Sequence, residues 1–335
     1  MKSLGTSDLW IDAPDALRLV PEKAGGIHWM ESALRSFIEH GYAIIPNAVP
    51  DEAIDRYRED LDRVARNRGG LKASYVRGIH PLEELDPTKP LTKILDTFVL
   101  VPAARKLVFA RKILDFLIAL FSDDVLAFQG LHFEVGSTQA IHQDTTYVVV
   151  DRPFNLAASW IALEDVQEGS GELAYYPGSH RFPLYTYRSR RLPWLYRRKR
   201  LNWKPSLDGD AVHSRHLASL REQAQARGIR RETFLPRKGD ALIWHAYLAH
   251  GGNPITGGSL TRRSLVSHYC PLHNTPYYFR FIPAADRLKV PIGPSSFVSS
   301  MYHPPSAIAD VDLAAATARA FWKRLSGARL RKFPT

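Results

Sequence analysis

At about Val125 the chain changes texture, and that change limits what it can fold into. Before it, apolar residues recur at helical spacing. Residues 28–40 place Met30, Leu34 and Ile38 on one face, and Gly41 stops the helix. Residues 42–45 read as a short strand. Asp51 can cap a second helix running to about Arg66, with Ile54, Tyr57, Leu61 and Val64 as its inner stripe. Residues 103–121 read as a third, strongly apolar helix. After Val125, β-prone runs alternate with glycine and proline, at residues 125–135, 145–150, 155–163, 172–176, 241–244 and 260–269. Helices first and strands after predict a mainly β protein with supporting helices, built as a sandwich or barrel. The expected organisation is one domain over 1–335. It has helical support in 28–124, a β core in 125–270 with an insertion at 181–235, and an extension over 271–335 that ends in a helix near 311–325.

The strand half carries a metal-ligand pattern. His142 and Asp144 are two residues apart, so on a strand their side chains share a face while Gln143 points away. His250, 108 positions beyond His142, lies in a glycine-rich turn, and a sandwich can bring a late strand end beside an early one. Two imidazoles and one carboxylate suit Fe(II) and leave coordination positions open. His245 competes with His250 for the third place. Arg262 and Ser264, two apart on the last strand, would both face inward, with Arg263 facing out. An arginine fork is suited to a bidentate carboxylate.

Composition narrows the alternatives. Cys270 is the only cysteine, which excludes an internal disulfide and a thiolate zinc cage. The longest apolar runs are too short to span a bilayer. The first residues carry no apolar signal-peptide core, so a cytoplasmic location is expected, possible also at the inner face of a membrane. The net charge of +11 is concentrated: residues 181–235 hold 14 Lys/Arg against 4 Asp/Glu, and residues 319–335 hold 6 Lys/Arg and no acid. The remainder is mildly acidic.

The order and spacing of several motifs resemble one family. They are residues 37–45 (FIEHGYAII), 142–147 (HQDTTY), 159–166 (SWIALEDV), 171–180 (GELAYYPGSH), 238–240 (KGD), 245–253 (HAYLAHGGN) and 262–264 (RRS). Over roughly residues 30–270 the chain resembles the phytanoyl-CoA dioxygenase family of Fe(II)/2-oxoglutarate oxygenases. The resemblance implies a double-stranded β-helix, the cupin-like jelly-roll. It implies His142, Asp144 and His250 as catalytic iron ligands, with His245 at a non-ligand position. It places Arg262 and Ser264 on the far carboxylate of 2-oxoglutarate, and His132 near the cosubstrate. Trp160 matches a family tryptophan near the pocket. Related halogenases carry a small residue in place of the carboxylate, so Asp144 favours hydroxylation. The implied reaction uses Fe(II), 2-oxoglutarate and O2, with ascorbate in support, and releases succinate and CO2.

The basic segments suggest an anionic partner. A small-molecule, acyl-thioester or lipid-linked substrate fits, as does peripheral contact with an anionic membrane through residues 188–203, where arginines alternate with Trp194, Tyr196 and Trp203. Nucleic acid is disfavoured, because no nucleic-acid module is recognisable. The contrasting expectation is a jelly-roll that binds an anionic ligand or membrane through these segments without turnover.

Overall fold

The computed structural model describes residues 9–75, 78–183, 210–258, 260–276 and 289–302. The basic stretch 184–209 and the last helix expected near 311–325 lie outside the described residues. In chain order the helices are α1 (Ala16–Ala24), α2 (His28–His40), α3 (Asp51–Arg66), α4 (Thr97–Leu100), α5 (Pro102–Val108), α6 (Arg111–Phe121) and α7 (Asp210–Ala226). The strands are β1 (Tyr42–Ile45), β2 (Lys72–Tyr75), β3 (Gly78–Pro81), β4 (Lys93–Leu95), β5 (Val125–Phe133), β6 (Ala157–Ala162) and β7 (Leu173–Tyr175). They continue with β8 (Glu232–Phe234), β9 (Ala241–His245), β10 (His250–Gly252), β11 (Ser264–Pro271), β12 (Val290–Ile292) and β13 (Ser295–Phe297).

The strands form two sheets. The larger runs β1-β9-β6-β11-β5-β4-β2-β3, and β13 joins β5 in parallel with β12 beside it. Every other pairing in it is antiparallel. The smaller runs β10-β7-β8. A backbone pair between His142 and His250 extends it, with N–H donated each way at 2.8 and 2.9 Å. That pairing depends on a missing side chain. A Cβ on Gly251 would lie 2.6 Å from the Gln139 carbonyl oxygen, closer than real contacts allow.

The central strands β6, β9 and β11 are buried at every position, so none shows the buried/exposed alternation of a strand with one face in water. Odd and even positions still separate cleanly. Ala158, Trp160, Ala162, Leu242, Trp244 and Val266 pack inward with Leu173, Tyr175 and Phe234 of the small sheet. Ala157, Ile161, Ala241, Ile243 and Leu265 pack outward against the helices. On that side Ile113, Phe116, Leu117 and Leu120 of α6 are all buried, and each such side chain contributes about 1.5–3 kcal/mol.

Several expectations need correction. Residues 145–150 form no strand. Asp144–Thr146 is a 3-10 turn, closed by the Tyr147 and Val148 N–H groups on the Asp144 carbonyl. The helix expected over 103–121 is two, because Ala110 is extended between them and the free Val108 carbonyl accepts the Tyr269 hydroxyl at 2.8 Å. Asp51 is the first helical residue of α3, after an N-cap at Pro50 without a side-chain cap. The last long strand begins at Ser264, so Arg262 precedes it. Strands β2 to β4 and helix α1 lie where no element was expected. Among the described residues no helix is long and apolar enough to cross a membrane.

Candidate metal centre

His142, Asp144 and His250 meet at the inner face, with one donor atom from each within 4.8 Å of the others. The main chain brings the two histidines together, and the 3-10 turn carries Asp144 beside them. Gln143 points away and donates its amide to the Tyr247 carbonyl. His142 Nδ1–H donates to the Ala140 carbonyl at 2.8 Å, and His250 Nδ1–H donates to the Leu248 carbonyl at 2.9 Å. Both Nδ1 protons are thereby fixed and both Nε2 lone pairs remain for a cation. The Gln139 amide, 3.3 Å from His142 Nε2, is placed to donate to that lone pair.

The electrostatics agree. Burial, with His250 alongside, pushes the His142 imidazole down to about 3, so it is neutral at physiological pH. Burial favours a protonated Asp144, but His250, His268 and His142 outweigh it and hold the carboxyl well below its ordinary range. The donor set is two imidazoles and one carboxylate, all buried, with no thiolate. That set fits Fe(II).

His245 lies elsewhere. Strand alternation turns Trp244 inward and His245 outward, where it packs between Phe37 and His180 with Asp12 3.6 Å away. His250 alone of the two reaches Asp144, at 3.5 Å.

A second cluster surrounds Arg262, which is 2% exposed. Its guanidinium packs on the rings of Trp160 and Phe133 at 5.5 and 5.6 Å and donates to the Gly171 carbonyl at 2.9 Å. Burial lowers it to about 10, with Glu172 opposing, so it stays charged. Arg262 Nε, Ser264 Oγ and Trp160 Nε1 are buried polar atoms without a protein partner. Buried donors are normally satisfied, so three together suit a carboxylate ligand. Arg263 points the other way and pairs with Glu134 and Glu164 at 2.8 and 2.7 Å.

His132 does not belong to this cluster. Its two ring nitrogens meet the Tyr57 hydroxyl at 3.0 Å and the Glu134 carboxylate at 2.9 Å. It sits on the helix-facing side, next to Phe133, which faces in.

A family model for phytanoyl-CoA dioxygenase matches residues 37–264. The chain belongs to the phytanoyl-CoA dioxygenase family. Human peroxisomal phytanoyl-CoA dioxygenase is 25% identical over 243 residues, covering 69% of this chain and 65% of that protein. The bovine protein is 23% identical over 223 residues, covering 64% and 60%. The matched part therefore spans less than two thirds of these relatives. Among solved structures, the chain resembles the non-heme, alpha-ketoglutarate-dependent carbocyclase SnoK from nogalamycin biosynthesis. Its TM-score is 0.53 at 20% identity, covering 73% of this chain and 85% of that one. The epimerase SnoN, solved with Fe3+, alpha ketoglutarate and nogalamycin RO, gives 0.52 at 16% identity, covering 73% and 84%. The shared fold is the cupin-like jelly-roll.

Three further residues of this family member line the site and escaped the sequence reading. Trp244 Nε1 donates to Asp144 Oδ2 at 2.6 Å. His268 Nε2 lies 3.4 Å from the same oxygen. Lys93 reaches in from β4, with Nζ 3.4 Å from Gln139 Oε1, and burial lowers its pKa. The alternation 262, 264, 266, 268 was a signal for His268. Tyr147 stands at the open side, 44% exposed, with its ring 5.2 Å from that of His142 and its hydroxyl bonded to His213 of α7 at 2.8 Å.

Burial also sets a pH dependence. His142 and His180 are lowered to about 3 and His216 to about 4, chiefly by burial. The unfolded chain takes up these protons near pH 6.5, before the folded one does. The stability is therefore full above about pH 6.5 and falls as pH drops from there toward 3. Asp96, raised to about 7 by burial, acts with the opposite sign over about 4–7 but is one group against three. The melting temperature of EDTA-treated protein is expected to fall steadily from pH 6.5 to 4. A flat or rising profile would contradict these neutral buried imidazoles.

Proposed function

We propose that the protein is an Fe(II)- and 2-oxoglutarate-dependent dioxygenase that hydroxylates an unactivated C–H and releases succinate and CO2. The observation that carries this reading is the pairing of two sites on one inner face. A His142–Asp144–His250 donor set lies in the same barrel as a buried arginine with unpartnered donors around it. Bound iron and 2-oxoglutarate supply the oxidative chemistry. The chain's own groups bind and orient. Arg262 and Ser264 take the far carboxylate of the cosubstrate, while Trp160 and Phe133 keep water from the guanidinium. Tyr147 and α7 line the side open to substrate. Asp144 supplies the carboxylate that distinguishes a hydroxylating site from a halogenating one.

Charge supports one substrate class. The segment 181–235 carries a net +10 in the sequence, while its helix α7, in which Arg215 and Arg221 balance Asp210 and Glu222, meets Tyr147 through His213. A sequence segment of that charge favours an anionic substrate such as an acyl thioester or a lipid-linked molecule. An anionic membrane in peripheral contact would present the latter.

Succinate release measured with Fe(II), 2-oxoglutarate, ascorbate and acyl-thioester or lipid candidates tests the reading. Expected is Fe(II)-dependent succinate that disappears in His250→Ala and persists in His245→Ala. The reverse pattern would move the third ligand to His245. No Fe(II)-dependent succinate from wild-type protein, with or without candidates, would refute the enzyme reading.

A further inference from the structure

The two oxygens of Asp144 face different surroundings. Oδ1 points to the histidines, 3.7 Å from His142 Nε2 and 3.5 Å from His250 Nε2. Oδ2 is turned away. It accepts the Trp244 indole N–H at 2.6 Å and lies 3.4 Å from His268 Nε2, a contact inside ion-pair range though not aligned as a hydrogen bond. Asp144, Trp244 and His268 are all buried, at 4, 2 and 3% exposure, so water does not compete for Oδ2.

We propose that Trp244 and His268 are positioning residues that tether Asp144 Oδ2, so that Asp144 offers a bound metal ion Oδ1 alone. The inference rests on the metal-centre reading above and adds to it how many positions the protein occupies. An octahedral ion held by two imidazoles and one carboxylate oxygen keeps three positions. Those three would be left for the oxidative chemistry of a bound 2-oxo acid and dioxygen. A carboxylate free to swing and bind through both oxygens would occupy one of them. The tether comes from rigid elements: Trp244 sits in β9 between β1 and β6, and His268 in β11 between β6 and β5. Since β11 also carries Ser264, four residues earlier on the same face, one strand fixes both the carboxylate of the metal site and part of the cosubstrate cradle.

The experiment is Co(II) binding to full-length protein, followed by calorimetry and by the visible d–d spectrum, which reports coordination number. Trp244→Phe keeps the ring and loses the N–H. It is expected to weaken Co(II) binding about tenfold, the lower end of what loss of an outer partner costs. It should also change the d–d envelope as Oδ2 is released, with far-ultraviolet circular dichroism unchanged. His268→Gln should move both readouts the same way, by less. If Trp244→Phe does not fold, His268→Gln decides. Folded variants with wild-type affinity and an unaltered spectrum overturn the tether. Asp144→Asn is the control: wild-type Co(II) affinity there overturns the metal-centre reading itself, and the tether with it.

Discussion

Asp144→Ala protein is expected to lose Fe(II)-dependent succinate formation entirely. It should also bind Fe(II) more weakly by more than the roughly 10–100-fold that removal of an outer partner costs. The substitution deletes the only anionic ligand and leaves two imidazoles, one of them, His142, neutral down to about pH 3. It also leaves the Trp244 N–H buried without an acceptor, a cost of about 1–3 kcal/mol to the metal-free fold. Asp144→Asn separates the two effects. Its side-chain oxygen can still accept from Trp244, so the fold should melt near the wild-type temperature while iron affinity is lost with the charge. Anaerobic calorimetry with Fe(II), beside a melting curve without metal, checks both. Tight Fe(II) binding by a well-folded Asp144→Ala protein would show that the metal sits elsewhere.

Arg262→Lys is expected to raise the 2-oxoglutarate KM by roughly one to two orders of magnitude, with little change in kcat at saturating cosubstrate. The estimate is the loss of a charge-assisted hydrogen bond, about 1.5–3 kcal/mol. Lysine retains a positive charge opposite Glu172 but cannot present two parallel N–H groups to a carboxylate. Alanine is the poorer probe. It would strand Glu172, whose Oε2 already lacks a hydrogen-bond partner, and so mix stability with binding. The expected pattern is a KM effect without a kcat effect, because the far carboxylate is bound equally in ground and transition states. A fall in kcat with unchanged KM would place Arg262 outside the cosubstrate site.

The residues differ in how far sequence alone could carry them. Helix α2 was legible to the residue, since its apolar spacing and the left-handed Gly41 (φ 83°) both act locally. The break at Ala110 was not, because the partner that satisfies the end of α5 is Tyr269, 161 positions away. The spacing of His142 and Asp144 was read as a strand. A strand and a turn can both put two such groups side by side, so the error in conformation does not separate the three candidate donors. Strands β2 to β4 are only three or four residues long, and β3 is largely exposed, so their pattern hardly differs from a loop. Trp244 carries no local signal in the sequence and His268 only the alternation along its strand, because what sets them apart is contact with Asp144 across 100 and 124 positions. His132 shows the converse. It is buried and polar in the same strand as Phe133, which packs under Arg262, yet Phe133 takes the inward position.

The backbone pair between His142 and His250 sets a timetable for the newborn chain. Half of the nitrogen donors arrive only with residue 250, and their alignment requires the small sheet to close over a separation of 108 positions. No nascent fragment ending before His250 holds the full donor set. An ion that needs all three donors could therefore be held only once residue 250 has paired with residue 142.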